Sequence, residues 1–282
     1  MPAIAIDIDE VHQVFEKQQP YIAQAFDHWT SEPEFELVLG GGLDGEVIAL
    51  DAATGEEKWQ TKVTAEVVAP PAVGQGLVFI RSNDGRVTAL DAASGERRWF
   101  WNHDLPTLTV RGNDAPTVGP GVVFVGNDDG TLAALGAADG RTLWDQVVGN
   151  PEGRTELDRM ADVDGAPVLE GNTLYASSFK NQTIAIEGPT GRPLWTRDHG
   201  GAGGVTLSSS YVIVTDNQGG VFGLDKQSGA ASWSQTGLAR RQLTGPALQG
   251  DYVVVGDFDG YVHWLQQSDG AMAARAKTGG TV

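Results

Sequence analysis

The feature that most constrains this chain is a glycine that recurs with a tryptophan four residues after it. The pairs are Gly55/Trp59, Gly95/Trp99, Gly140/Trp144, Gly191/Trp195 and Gly229/Trp233, with Trp-to-Trp spacings of 40, 45, 51 and 38 residues. A sixth unit has Gly270 followed by Ala274 instead. Each unit also carries an earlier turn pair: Asp44-Gly45, Asp84-Gly85, Asp129-Gly130, Asn181-Gln182, Gly219-Gly220 or Asp259-Gly260. An Asp-Gly pair between two apolar runs is the cue for a tight hairpin whose turn needs positive φ. The stretch from Gly76 to Trp99 shows the whole device, three antiparallel strands joined by turns at Asp84-Gly85 and at Asp91 to Gly95.

A further short strand precedes each of five units, over 67–73, 115–118, 166–169, 204–207 and 244–248. About four short strands repeating near every 40 residues is the pattern of an all-β protein, a β-propeller of four-stranded antiparallel blades. Helical solenoids of similar period are excluded, because the apolar runs alternate at period two and are cut by turn residues every few positions. Each blade must bury both faces, and one large aromatic fills the wedge between neighbours. That gives Trp59, Trp99, Trp144, Trp195 and Trp233 a structural role and no catalytic one.

Six blades are recognisable. Five have four strands (64–103, 113–148, 164–198, 202–236 and 242–277), and a three-strand unit covers 35–63. The propeller is therefore expected over 35–282, either completed by N-terminal residues or part of a larger ring. Residues 1–34 do not fit the repeat. Ile4, Ile6 and Ile8 alternate as in a strand, and Val11, Val14, Phe15, Ile22, Phe26 and Trp29 fall at roughly helical spacing interrupted by Pro20. An acidic, partly helical segment is the expectation there.

Composition removes several function classes. A formal net charge of −18 repels phosphate backbones and anionic lipid, so nucleic acid is not an expected partner. No apolar run approaches the ~20 residues of a membrane span. The N-terminus lacks the basic start and apolar stretch of a signal peptide. The absence of cysteine removes disulfides, thiolate metal sites and a Cys nucleophile.

Motifs that suggest chemistry have simpler readings. Gly40-Gly41-Gly42-Leu43-Asp44-Gly45 matches G-x-G-x-x-G, but a dinucleotide site needs a following helix and a strand follows here. Asp162-Val163-Asp164-Gly165 and Asp257-Phe258-Asp259-Gly260 resemble the start of a calcium loop, yet Thr173 and Ser268 stand where its last carboxylate belongs. The histidines show no metal-ligand spacing. Asn181-Gln182-Thr183 is a glycosylation sequon lying in a hairpin turn. No catalytic residue, cofactor or metal is expected.

Two inter-blade links carry the functional information. The link 104–112 contains Pro106, Leu108, Val110 and Arg111; the link 149–163, the longest, holds Arg154, Glu156, Asp158, Arg159 and Asp162, with Asp164 just beyond. Links between successive propeller blades emerge on one face, so the two lie side by side. Apolar side chains, an Arg and a charged rim compose a protein-binding patch. The same pattern also fits a strand start with Leu108 and Val110 facing the core and the acids in a solvated loop.

Several stretches resemble the BamB family, the propeller lipoprotein subunits of the bacterial β-barrel assembly machinery. They are Leu105 to Thr117, Arg154 to Asp164, Leu243 to Pro246 and Val255 to Trp264, and the resemblance covers about 35–280. It implies a non-enzymatic propeller, eight-bladed in the family, that binds the periplasmic POTRA domains of BamA and helps outer-membrane proteins fold and insert. The family's partner-contacting positions fall here on Leu108, Val110, Arg111, Asp162 and Asp164. The implied location is the periplasmic face of the outer membrane, with unfolded outer-membrane proteins as further partners. Family members carry a signal and a lipidated Cys, neither of which this sequence has, and their closing strands are missing after Lys277. The resemblance is thus to a member lacking both ends.

The pattern from Ala49 to Trp59, and again from Ala89 to Trp99, also resembles the blade motif of quinoprotein dehydrogenases that bind pyrroloquinoline quinone. Those enzymes use a vicinal Cys pair, which this chain lacks. A generic propeller scaffold with another partner is a third reading.

Overall fold

The structure is a computed structural model, and it describes residues 28–32, 37–109 and 114–280. Six four-stranded antiparallel sheets make up almost all of it. The first blade is β1 (His28–Glu32), β2 (Leu37–Gly41), β3 (Glu46–Asp51) and β4 (Glu57–Lys62). The second is β5 (Ala72–Gly74), β6 (Leu77–Arg81), β7 (Arg86–Asp91) and β8 (Arg97–Asn102). The third is β9 (Thr117–Gly119), β10 (Val122–Gly126), β11 (Thr131–Gly136) and β12 (Thr142–Val147). The fourth, after a single helical turn α1 (Glu156–Arg159), is β13 (Val168–Glu170), β14 (Thr173–Ser178), β15 (Gln182–Glu187) and β16 (Arg192–Arg197). The fifth is β17 (Val205–Leu207), β18 (Tyr211–Thr215), β19 (Val221–Asp225) and β20 (Ala231–Gln235). The sixth is β21 (Ala247–Gln249), β22 (Tyr252–Gly256), β23 (Tyr261–Gln266) and β24 (Met272–Lys277). Strands follow chain order across every sheet, the up-and-down meander that the hairpin turns dictate.

Two details differ from the sequence reading. The first blade has four strands rather than three: β1 pairs antiparallel with β2, His28 opposite Gly41 and Glu32 opposite Leu37. The helical spacing read over 11–29 otherwise lies outside the described residues. In the second to sixth blades the first strands are also shorter and start later than expected, each only three residues long. Pro71, Pro116, Pro167 and Pro246 stand immediately before four of them. Proline has no N–H to give to the ladder, so pairing begins after it.

By its contacts the chain divides into two compact units, one of residues 1–105, 111–123 and 135–142 and the other of 106–110, 124–134 and 143–282. In the first, Leu39, Val47 and Ala49 of one blade pack with Val78, Ile80 and Leu90 of the next, and Trp59 lies in the same cluster. In the second, Trp195 joins Tyr175 and Ala185 to Val212, Val214 and Leu224, and Trp233 joins Ile213 and Val221 to Val253, Val255 and Leu265.

The tryptophans act as more than wedges. The indole N–H of Trp59 donates to the carbonyl of Ala92 at 2.9 Å, Trp99 to Ala137 at 2.8 Å, Trp144 to Gly188 at 2.8 Å and Trp195 to Lys226 at 2.9 Å. Each bond ties an outer strand to the turn of the next blade. The glycine of that turn receives the ring: at Gly229, whose φ is 70°, an added Cβ would sit 2.6 Å from the indole of Trp195. The repeat spacing therefore encodes a contact between blades. Asp51, Asp91 and Asp225 organise the same turns, each accepting through Oδ1 from the backbone N–H and the hydroxyl three residues on, at Thr54, Ser94 and Ser228.

Candidate protein-docking surface

The link after β8 starts where the N–H of His103 donates to the carbonyl of Gly85 at 3.2 Å. Leu105 and Leu108 are both exposed, at 42%. Leu108 thus faces solvent and not the core. Val110 and Arg111 lie outside the described residues.

The link 149–163 is ordered by its own sequence. Its entry is fixed by the N–H groups of Val148 and Gly149, which both donate to the carbonyl of Gly130. Thr155 caps α1: its hydroxyl accepts from the N–H of Asp158, and the Asp158 carboxylate accepts in return from the N–H of Thr155, each at 3.1 Å. This reciprocal box satisfies donors that a helix start leaves unpaired. Hydrogen bonding to the carboxylate, first from the Thr155 side chain and then from its backbone, holds the Asp158 carboxyl below the usual carboxylate range, with Lys180 adding a favourable charge. Arg159 pairs with Glu156 one turn back. The exit is buried: Met160, Ala161, Asp162 and Val163 all leave solvent. The N–H of Val163 donates to Asn127 at 3.1 Å, and the carbonyl of Asp162 accepts from the N–H of Phe179 at 2.8 Å.

The two acids singled out in the sequence are therefore not displayed. Asp162 is fully buried and Asp164 half-buried, and Oδ1 of Asp162 and both carboxylate oxygens of Asp164 are shielded from water. Each is engaged by other groups of the protein. A buried carboxylate is costly unless paired, so these side chains are turned to the protein's own groups and not to solvent. What the link does display is Leu157 on α1, 66% exposed, with Arg154 also in solvent. Leu157 carried no weight in the sequence reading, although Thr155-x-x-Asp158 is a legible capping signal around it.

Among the described residues no group of three or more His, Asp or Glu side chains is arranged to hold a metal. Nor, among the described residues, is any helix long and apolar enough to cross a membrane.

Antiparallel four-stranded blades, wedged by an outer-strand Trp and joined by links that carry exposed apolar side chains, define a β-propeller protein of the Trp-repeat type. The sequence profile described as "Outer membrane protein assembly factor BamB" matches residues 34–235. The chain belongs to the BamB family. A relative of that name from Xanthomonas campestris pv. campestris is 68% identical over 243 residues, which are 86% of this chain and 60% of the relative. The chain thus spans about three fifths of that relative's length. The crystal structure of BamB from Moraxella catarrhalis superposes with a TM-score of 0.82 at 31% identity, covering 88% of this chain and 75% of that one. The quinohemoprotein alcohol dehydrogenase from Comamonas testosteroni gives 0.59 at 15% identity, over 88% of this chain and 66% of that one. That likeness is one of fold alone. The family is named for assembly and not for an enzymatic reaction.

Proposed function

We propose that this chain is the scaffold portion of an outer membrane protein assembly factor, working at the periplasmic face of the outer membrane and doing no chemistry of its own. Its links 104–112 and 149–163 dock the POTRA domains of BamA, and the substrates served are unfolded outer-membrane proteins. Leu108 and Leu157 supply apolar burial, Arg111 pairs with a partner carboxylate, and Asp162 and Asp164 set the shape of the link beneath them. The observation that carries this reading is the ordering of the 149–163 link around an exposed leucine. A loop that only connected two blades would not need a capping box, a buried exit and cross-blade bonds to hold one apolar side chain in water.

The test is the affinity of the folded protein for isolated POTRA domains, wild type against Leu108→Glu and Arg111→Glu. Losing a charge pair at the centre of such a patch costs about 2–5 kcal/mol. Unchanged affinity in both folded variants refutes the surface. The dehydrogenase alternative is checked by titration with pyrroloquinoline quinone, for which no micromolar binding is expected.

A further inference from the structure

We propose that Lys180 is the positioning residue of this docking surface, a staple that holds the 149–163 link in its binding shape; the inference rests on the docking reading above. Lys180 stands in the turn between β14 and β15. Its ammonium donates to the carbonyl of Glu152 at 2.9 Å and to the carbonyl of Asp158, so one side chain gathers both arms of the link. Its neighbour Phe179 makes the backbone bond to Asp162. The link is thus held from the fourth blade at its entry arm, at the end of α1 and at its exit.

The repeat shows how unusual this residue is. In the structure Asn181, at φ 58°, and not Gln182, takes the place of the turn glycines, and Gly219 does so in the fifth blade; the position before the glycine is then Asp44, Asp84, Asp129 and Asp259 in the first, second, third and sixth blades, Gln218 in the fifth and Lys180 in the fourth. Asp84 and Asp129 accept the N–H of the residue two further on, Arg86 and Thr131, the bond that makes aspartate a turn former. The fourth blade gives up that bond and reverses the charge. What it gains is a donor with several protons to share among carbonyls that α1 and the link leave unpaired. A helical turn of four residues cannot hold itself, because its few bonds do not offset the cost of nucleation. With the staple closed, Leu157 is presented before the partner arrives and the ordering cost of binding falls.

The test uses the whole chain with Lys180→Met, which keeps the aliphatic stem and removes the donors, and Lys180→Gln as a second variant. An arginine-specific protease, which ignores position 180, reports on the link through cleavage after Arg154 and Arg159. Cleavage is expected to rise about tenfold at unchanged thermal midpoint, and POTRA affinity to fall by about tenfold, with Lys180→Arg, read by affinity alone because it adds a cleavage site, recovering much of the binding. Unchanged cleavage in both variants overturns the staple. Faster cleavage with unchanged POTRA affinity, when Leu108→Glu does weaken it, overturns the positioning role and leaves the docking reading standing. No effect of Leu108→Glu, Arg111→Glu or Lys180→Met on affinity removes the docking reading and this inference with it.

Discussion

Trp264 lies directly opposite Ala274 across β23 and β24, the reverse of the arrangement in earlier blades. There the outer strand supplies the aromatic and the strand inside it the small residue: Trp59 opposite Ala49, Trp99 opposite Ala89, Trp195 opposite Ala185 and Trp233 opposite Gly223. A directly opposed pair in an antiparallel sheet shares one face and little space, so a large side chain on one strand demands a small one on the other. The sixth blade keeps that complementarity and exchanges its members. Its indole is only half-buried and donates to Oε1 of Gln249 at 2.6 Å, within its own sheet rather than to a following turn.

The two kinds of tryptophan are expected to differ in energy. Trp195 is 7% exposed, lies tilted against Tyr175 with ring centroids 6.0 Å apart and bonds to the next blade. Trp195→Ala should destabilise by about 3–5 kcal/mol, through lost burial and the cavity left between blades. Trp264→Ala, at a half-buried face, should cost about 1–2 kcal/mol. Denaturant titration of both variants measures the difference, and equal losses would contradict the account of the wedge.

The fold was legible because its repeat is a contact pattern: a Trp four positions after each turn Gly places its indole on a neighbouring turn. The innermost strands were misplaced because alternation alone does not register the missing N–H of Pro116 or Pro167. β1 escaped because His28 to Glu32 lies before the repeat's turn signals begin. In the candidate site, the reach of the links was readable from their length and charge. Burial of Asp162 was not, since an acid in a loop ordinarily reads as solvated; the apolar neighbours Ala161 and Val163 that carry it inside become informative only once the link folds. Lys180 was hidden by register: pairing Asn181-Gln182 with the Asp-Gly turns sets Asn181 in the column of aspartates, and only its φ of 58° shows that it stands for the glycine.

Asp257 predicts an acid-sensitive step in stability. The carboxylate is fully buried in the sixth blade, and Oδ2 accepts from Arg241 Nη1 and His263 Nε2 at 2.7 Å each while Oδ1 accepts from the N–H of Tyr261 at 2.9 Å. Burial alone would raise its pKa; the bonds from His263, the Tyr261 backbone and Arg241 outweigh it and hold the group at about 2. A carboxyl lowered by folding contributes stability that is complete above its unfolded value near 3.8 and is lost as pH falls toward 2. Asp257→Asn should therefore cost about 3–5 kcal/mol at neutral pH, by leaving a cation beside a buried neutral group. It should also flatten the decline between pH 4 and 2, and chemical denaturation across that window tests both effects.

Gly130 anchors the long link, and substitution there should be felt in it. Its φ is 87°, and a Cβ would stand 2.2 Å from the carbonyl oxygen of Gly149 and 2.8 Å from Cβ of Ala161. Gly250 also has positive φ, at 57°, but nothing lies within 4 Å of its Cβ position. Gly250→Ala should cost only the backbone term, about 1 kcal/mol. Gly130→Ala adds a collision with the entry of the link and should cost about 2–3 kcal/mol. It should also hasten cleavage after Arg154. Equal thermal shifts for the two variants would show that the link yields freely at its base.

The division of labour within the link gives the last prediction. Leu157 touches solvent and Asp162 does not, so the two should fail differently. Leu157→Glu leaves the fold intact, with a thermal midpoint within about a degree of wild type, because the Leu157 side chain is exposed and makes none of the capping bonds between Thr155 and Asp158. It should nonetheless weaken POTRA binding by about tenfold or more, since a charge replaces an apolar contact at a desolvated centre. Asp162→Asn should do the opposite in order of cause. The buried carboxylate loses its charge, its partners are left uncompensated, stability falls by about 2–4 kcal/mol, and affinity follows only because the link is no longer held. Adding the stabilising co-solvent trimethylamine N-oxide separates the cases: it should recover binding by Asp162→Asn by favouring the compact state and leave Leu157→Glu as weak as before. Recovery of both, or of neither, would mean that display and support are not divided between these two residues.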